Sequence, residues 1–485
     1  LKNKIRLSAE SRCMKMKNQS RRSFLKAAVG SGVGLAVLPG IIPARLLGAD
    51  APSKKINVAQ IGCGRMGRSD LGNVLKEPLA RVVAVCDLDS RRLAAGRKMA
   101  EDYYTERGEA GVNVKTFHDY HDVLASPDID AVVVTVPDHS HARLAIAAAI
   151  AGKHIYVQKP VTYNIAEAIG LRRAVEAKKI ILQTGSQQRS ERPWHSFRAA
   201  SEAVRNGRIG QLKTIKIGVG LDKPSGHAPA PMPVPENLDY EHWLGSAPEQ
   251  PYMELRGHPQ HSLEGRPGWI TTEDFGLGMI TNWGAHHVDI AQWAMGQELG
   301  GPLTIDAQVE FMQDDAWTVH TTYHVEMLYP KNVQLILDNK FENGIRFEGD
   351  EGWVFCTRGE EKVTASDPNT PLNREALLPL RASDPKILLP ADGSAVRWMP
   401  SRTHHGNWLE SIAANRQPVA PIQQSARSLE ACAAAWIGMK LKRKLTWDAA
   451  AERFVGDDAA NALRGRQARK PEYDFELVLQ RAGIA

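Results

Sequence analysis

The chain has 485 residues, of which 43% are hydrophobic and 24% charged, with a formal net charge of +6. That length can bury two cores, and the composition excludes a disordered or collagen-like chain. The diffuse positive excess lacks the clustered Lys and Arg that nucleic-acid binding needs, and five scattered cysteines without a CxxC pair argue against a disulfide framework or structural zinc.

The first stretch reads as an address. Ser20-Arg21-Arg22-Ser23-Phe24-Leu25-Lys26 sets a twin arginine against the apolar run Ala27 to Ile42, followed by Pro43 and the small residues Gly48, Ala49 and Ala51. This resembles a twin-arginine export signal over residues 1–51, which implies a periplasmic or otherwise exported protein handled by the twin-arginine machinery. Retention as an uncleaved anchor is the alternative, although the apolar run is shorter than the roughly 20 residues of a membrane span.

Ile56 to Ile61 predicts a short buried strand, running into Gly62-Cys63-Gly64-Arg65-Met66-Gly67 and a helix that ends near Lys76. The first glycine allows a tight turn, the second lets the backbone approach a pyrophosphate, and the third permits close helix–strand packing. The helix start at Arg65 and Met66 offers N–H groups to phosphate. A second strand, Arg81 to Cys86, ends at Asp87, 20 residues past Gly67, where an acid meets the adenosine ribose. Its charge disfavours a 2′-phosphate, so NAD is expected over NADP, while Arg91 and Arg92 keep NADP open. Cys63 and Cys86 read as small buried thiols.

The alternation continues through a strand at Val114 to Phe117, a helix at Asp119 to Ala125 and the apolar strand Ala131 to Val136. Such a strand suits a parallel sheet buried on both faces. It ends in Pro137-Asp138-His139-Ser140-His141, which opens a helix to Ala151. His154 to Val157 ends in Gln158-Lys159-Pro160, and Ile180 to Thr184 in Gly185-Ser186-Gln187-Gln188. Ligands of open α/β sheets lie beyond the carboxyl ends of strands. The expected cleft residues are therefore Thr135, Pro137, His141, Gln158, Lys159 and Gln187, on a doubly wound parallel Rossmann sheet over residues 52–185.

A Rossmann fingerprint, a strand closing in Thr135-x-Pro137-x-x-x-His141 and a strand closing in x-Lys159-Pro160 together resemble the glucose–fructose oxidoreductase / inositol dehydrogenase (Gfo/Idh/MocA) family, from about Lys54 onward. The resemblance implies an NAD(P)-dependent oxidoreductase acting on a sugar-like hydroxyl, with Lys159 reaching both the nicotinamide ribose and the substrate. It also implies a C-terminal α+β domain whose open, mostly antiparallel mixed sheet builds homodimers or homotetramers. The family's tripeptide is Glu-Lys-Pro. Gln158 replaces its acid, which removes a negative charge and keeps hydrogen-bonding capacity.

From Lys213 the pattern turns to strands and polar loops, so residues 186–450 are expected to hold the substrate and 451–485 to form a polar tail. The long stretch 222–272, with Trp243 and Trp269, reads as a substrate cover or as a loop against a partner subunit. A helix from about Gly278 carries Asn282, Trp283, His286, His287 and Asp289, and Asn282 and His286 share one face. They resemble the family's Asp-x-x-x-His pair, which implies His286 as acid/base, an imidazole that titrates near working pH, with Asn282 in place of the assisting Asp. His287 points about 100° from His286, so this helix makes a strained metal site and no metal is expected. Leu303 to Phe355 alternates as a sheet should, and Arg402 to Trp408 opens a helix whose His404, His405 and Asn407 either line the cleft or cap and pack. Gln187, Trp269, Trp283, His287 and His404 are the expected substrate contacts.

The leading expectation is a dehydrogenase or reductase of a sugar, sugar acid or cyclitol. An alternative is a hydrolase or lyase that uses tightly bound NAD for transient oxidation at C3 of a glycoside. A third is a non-catalytic sugar-binding protein, which Gln158 and Asn282 favour.

Overall fold

In a computed structural model the described residues are 55–485, apart from 110, 225–229, 258, 266, 315, 360–377, 390–392, 394 and 485. The expected export segment, 1–51, lies outside them.

Short β-branched runs separated by helices with capping residues build the first sheet. Its strands are β1 (Ile56–Ile61), β2 (Ala80–Cys86), β3 (Lys115–Phe117), β4 (Ala131–Val134), β5 (His154–Val157) and β6 (Leu182–Thr184). They pair in parallel in the order β3-β2-β1-β4-β5-β6. All four residues of β4 are buried, as a strand covered on both faces requires. Helices α1 (Arg65–Leu75), α2 (Ser90–Glu106), α3 (Tyr120–Ala125), α4 (Asp138–Ile150) and α5 (Ile165–Lys178) form the crossovers. Asp89 caps α2 and Asn164 caps α5 through side-chain acceptors, each satisfying N–H groups of a first turn. The last strand begins two residues later than its apolar run. Lys179 takes a left-handed conformation that ends α5, and Ile180 N–H bonds back to Val175 O, which keeps Ile180 out of the ladder.

The second half adds helix α6 (His195–Arg205), strand β7 (Leu212–Gly218), and helices α7 (Tyr240–Leu244), α8 (Met279–Asn282) and α9 (Gly284–Met295). Strands β8 (Thr304–Phe311), β9 (His320–Tyr329), β10 (Val333–Asp338), β11 (Gly344–Gly349), β12 (Trp353–Cys356) and β13 (Leu380–Ala382) follow. Then come α10 (His404–Ala414), α11 (Ile422–Leu441), β14 (Leu445–Asp448), β15 (Arg453–Phe454), α12 (Asp458–Ala462) and α13 (Phe475–Arg481). The strands form a mixed sheet in the order β13-β12-β11-β7-β10-β9-β8-β14-β15. Its named ladders are antiparallel except β7 with β10.

Three expectations are corrected. Residues 451–485 carry β15, α12 and α13, and Leu479 of α13 is fully buried in the core beneath the first sheet, so this segment is packed structure and no polar tail. The helix expected from Gly278 is two helices, broken at Trp283. The two cores do not follow chain order either. Trp408 and Leu409 of α10 join one face of the Rossmann sheet, and Ile422, Ala426 and Leu429 of α11 join the other. The second half of α11, from Ala431 to Met439, lies in the core of the mixed sheet. A buried ion pair ties this junction. Arg189 Nε and Nη2 meet the two Asp289 carboxylate oxygens at 2.6 and 2.8 Å, and Ser428 Oγ of α11 donates to the same carboxylate at 2.9 Å. Asp289, weighed as a metal ligand from its spacing, is committed to this pair.

Candidate active site

Strand order reverses between β1 and β4, and a cleft of about 750 Å³ opens there. The glycine turn builds one end. Gly62 sits at φ +89°, where a Cβ would lie 2.1 Å from Thr135 O. At Gly67 a Cβ would lie 1.9 Å from Gly62 O, so both positions exclude side chains. A Cβ at Gly64 would meet nothing within 4 Å, which leaves that face of the turn open to the cleft. Gly64 N-caps α1 without a side-chain bond, and Arg65, Met66 and Gly67 line the cleft. An uncapped helix start beside an open glycine turn is an anion seat that suits a dinucleotide pyrophosphate. Asp87 lines the same end. Its carboxylate accepts from Cys63 N–H at 2.6 Å and Asp89 N–H at 2.8 Å, while burial raises its pKa to about 6.

The other end holds Lys159, Asn282, Trp283 and His286. Lys159 Nζ donates to Asn282 Oδ1 at 2.6 Å across the junction of the two halves. Asn282 closes α8, and His286 stands in the first turn of α9, where its N–H bonds Trp283 O at 3.0 Å. Their convergence therefore passes through a break in the helix. Burial, then the charges of Arg358 and Lys159, hold the His286 imidazole well below its ordinary pKa. The expected titration near neutrality is corrected accordingly: the ring is held in its neutral, proton-accepting form. Its buried Nδ1 has no hydrogen-bond partner in the fold.

Around this pair Thr135, Pro137, His141, Gln158 and Gln187 line the cleft. His141 Nδ1 lies 2.6 Å from Pro160 O, which pins the turn after Lys159, and burial lowers its pKa to about 4. Gln158 donates through Nε2 to both oxygens of Asp70, at 3.1 and 2.8 Å. Its Oε1 accepts from Lys159 N–H at 3.2 Å. Trp269 also lines the cleft.

Two expected substrate contacts are corrected. His287 lies off the cleft: its Nε2 is 3.0 Å from Asn343 Oδ1 and its Nδ1 faces the Gln188 amide, because the residue after His286 points about 100° further round α9. His404 reaches the cleft wall, yet its Nδ1 bonds Ser190 Oγ and its Nε2 bonds Thr184 O, both at 2.8 Å. No ring nitrogen is left for a substrate.

The stretch 222–272 reaches the nucleotide end of the cleft rather than covering only the substrate end. Asp239 N–H bonds Leu88 O at 3.0 Å, and Ser90 N–H bonds Asn237 O at 2.9 Å. Arg92 Nη2 donates to Pro259 O at 3.0 Å. Arg68 donates to Cys63 O at 2.8 Å and Leu263 O at 3.0 Å and pairs with Glu264. Pro259, Leu263, Gly265 and Pro267 thereby join the cleft wall as a strap.

Sequence reasoning missed Asp70, Trp194 and Arg358, and left His405 open. Asp70 had a signal: an acid one turn past Gly67 sits on the buried face of α1 beside Leu71 and Val74. His405 lies 3.1 Å from that carboxylate and stacks on Tyr156 with 4.4 Å between ring centroids. Arg358, in the loop after β12, had none.

Comparison with known proteins agrees with this geometry. Residues 56–186 match the Gfo/Idh/MocA model described as an oxidoreductase family with an NAD-binding Rossmann fold. Residues 224–364 match the same family's C-terminal alpha/beta domain. The myo-inositol 2-dehydrogenase of Thermotoga maritima is 31% identical over 185 residues, 38% of this chain and 48% of that protein. A glycosyl hydrolase family 109 protein of Shewanella is 30% identical over 165 residues, 31% of this chain and 36% of that protein. Each match covers less than half of the relative. The WlbA dehydrogenase of Bordetella pertussis, solved with NADH and UDP-GlcNAcA, superposes with a TM-score of 0.55 at 16% identity, over 81% of this chain and 99% of that one. At that identity the likeness is one of fold.

Proposed function

Since this chain belongs to the Gfo/Idh/MocA family of NAD-binding oxidoreductases, we propose that it transfers a hydride between NAD and a carbinol of a sugar, sugar acid or cyclitol. One observation carries the reading: Lys159 and His286 line one cleft whose far end is the open glycine turn. The turn, the start of α1 and Asp87 would hold the dinucleotide, which supplies the hydride acceptor or donor when bound. Lys159, oriented by Asn282, binds the carbinol oxygen and stabilises negative charge as the O–H proton leaves. His286 is the acceptor of that proton: its neutral ring carries a lone pair to receive it, and burial with the charges of Arg358 and Lys159 makes it a weaker base than a free imidazole. Gln158 and His141 fix the backbone on either side of Lys159.

The test is reduction of NAD by a panel of hexoses, uronic acids and inositols, followed at 340 nm. Wild-type protein should reduce NAD with at least one of them, and Lys159→Ala should lose 10²-fold or more of the rate, on the order of one removed charge-stabilising donor. Carbohydrate binding with no change in the nicotinamide and no conversion of the sugar would leave only a binding protein.

The strap supports a second reading. A dinucleotide enclosed by Asp239, Pro259, Leu263 and Gly265 would be retained between turnovers, which suits a redox-neutral cleavage in which each oxidation is reversed. Release of an aryl group from a glycoside by purified protein, with no cofactor added, separates this reading from net dehydrogenation. The Arg21-Arg22 pair belongs to the same proposal, because export of folded protein would carry the nucleotide with it. Replacing both by Lys should hold the protein in the cytoplasm.

A further inference from the structure

We propose that Asp138 is a second acid/base group of this cleft, one that takes a proton from the carbon beside the oxidised carbinol and so enolises the keto-sugar. The inference rests on the reading that a carbinol meets Lys159 and His286 beside NAD, and it adds a second proton transfer to that site.

Asp138 is the first residue of α4, and it is buried while lining the cleft with Lys159, Trp269 and His286. Its neighbour fixes its place. His139 N–H bonds Phe275 O at 3.2 Å, His139 Nε2 lies 2.8 Å from Trp243 O, and His139 O accepts from Ser246 Oγ at 3.1 Å. Asp138 Oδ2 faces Gly276, where a Cβ would lie 3.4 Å from that oxygen and 3.3 Å from the Trp269 ring. The carboxyl takes a hydrogen bond from its own N–H, and among the described residues no side chain bonds it. Buried Asp70 and Asp289, by contrast, are each held by two or more side chains. A carboxyl buried without such partners is costly, and in a cleft that cost marks a group kept for chemistry.

Lys159 acts on both titratable groups. Its charge pulls against the upward shift that burial gives Asp138, and it adds to the downward shift that burial gives His286. Its ammonium donates to the Asn282 amide at 2.6 Å and forms no hydrogen bond with Asp138. One cation therefore serves two acid/base groups with pKa values pushed in opposite directions, the arrangement that separates roles within a site. Hydride transfer uses one of them, for the O–H proton. The ketone left by that transfer keeps its oxygen at Lys159 and has acidic C–H bonds on the adjacent carbon. The Asp138 carboxylate takes one of these protons and becomes a carboxylic acid. The C–H electron pair moves into the carbon–carbon bond and the C=O pair moves onto oxygen, where Lys159 stabilises the enolate. Return of the proton restores the ketone, and return of the hydride restores the carbinol. A leaving group one carbon further on departs from this enolate with its bonding pair, which is the cleavage step of the redox-neutral reading.

The test is deuterium uptake from D2O by hexoses, uronic acids and inositols incubated with the full-length, NAD-loaded protein, with nicotinamide reduction followed in parallel. In wild type, at least one sugar that reduces the nicotinamide should gain deuterium at the carbon beside its carbinol and none at the carbinol carbon. Asp138→Asn should lower the ratio of uptake to reduction roughly 10²-fold or more, the scale of one general base. Asp138→Glu, which keeps the carboxylate, should recover part of that ratio and controls for a folding defect in the asparagine variant. The inference is overturned by reduction without uptake in wild type, or by an Asp138→Asn ratio equal to that of wild type. The ketone 2-keto-myo-inositol needs no prior oxidation and so separates the two readings. Asp138-dependent uptake by this ketone, with no sugar reducing the nicotinamide, would keep this inference and sink the oxidoreductase reading. Reduction by sugars with no uptake by sugar or ketone would do the reverse.

Discussion

Three side chains converge on Asp70, a carboxylate with no solvent exposure: Gln158, Thr135, whose hydroxyl donates at 2.9 Å, and His405. The negative charge absent at residue 158 is supplied from α1, and Gln158 relays it to the backbone of Lys159. Asp70→Asn would set amide donors against the donors of Gln158 and His405, costing about 1–3 kcal/mol for the unsatisfied groups. Adding Gln158→Glu reverses donor and acceptor and should recover most of that loss in urea unfolding; a double variant no more stable than the single would contradict the relay. A second prediction concerns pH. Burial lowers the pKa of His287 to about 3, against an unfolded value of about 6.5. The unfolded ring gains a proton below about pH 6.5 and the folded ring does not until about pH 3, so its contribution is complete above 6.5 and is lost as pH falls. Wild type should therefore lose stability relative to His287→Gln by about 1.4 kcal/mol per pH unit between pH 6 and 4. A stability difference that stays flat with pH would contradict this.

At the scale of elements, the Arg189–Asp289 pair joins the end of β6, α9 and α11 in a site with almost no solvent exposure. Asp289→Ala leaves a guanidinium buried beside an apolar cavity, and the expected cost is about 3–5 kcal/mol by chemical denaturation. A loss under 1 kcal/mol would mean that α11 docks without the pair. How far the fold could be read from the chain depended on how local each signal was. The glycine turn, the strand ending at Asp87 and the closing residues Thr135, Pro137, Gln158 and Lys159 are each specified by neighbours within a few positions, and the six-stranded sheet follows from their order. The break at Trp283 was hidden because residues 279–295 carry no Pro, and Gly284 beside the break is a residue that helices tolerate. The contact between Asp70 and His405 joins residues 335 apart, and Arg358 reaches the cleft only through the pairing of β12 with β11. No short-range pattern encodes either. His404 and His287 looked like ligands because a polar residue on an apolar face has two explanations, and here interior hydrogen bonds supply the other one.

For the whole molecule, the two halves meet over one cleft, with the strap across its nucleotide end. Arg68 ties turn and strap together, since it bonds both the glycine turn at Cys63 O and the strap at Leu263 O and Glu264. Arg68→Ala removes these bonds and should speed dissociation of bound NAD roughly tenfold or more, measured by displacement with a fluorescent analogue. An unchanged rate would assign the strap no part in retention. The central claim is that a carbinol hydrogen moves to the nicotinamide beside Lys159. Its most direct test is a single turnover of the full-length, NAD-loaded protein with a carbohydrate deuterated at its carbinol carbons, followed by denaturation and mass analysis of the released nucleotide. Deuterium on the nicotinamide from wild type and none from Lys159→Ala is the predicted result. Substrate converted while the nucleotide stays unlabelled, or equal labelling in the two proteins, would contradict it.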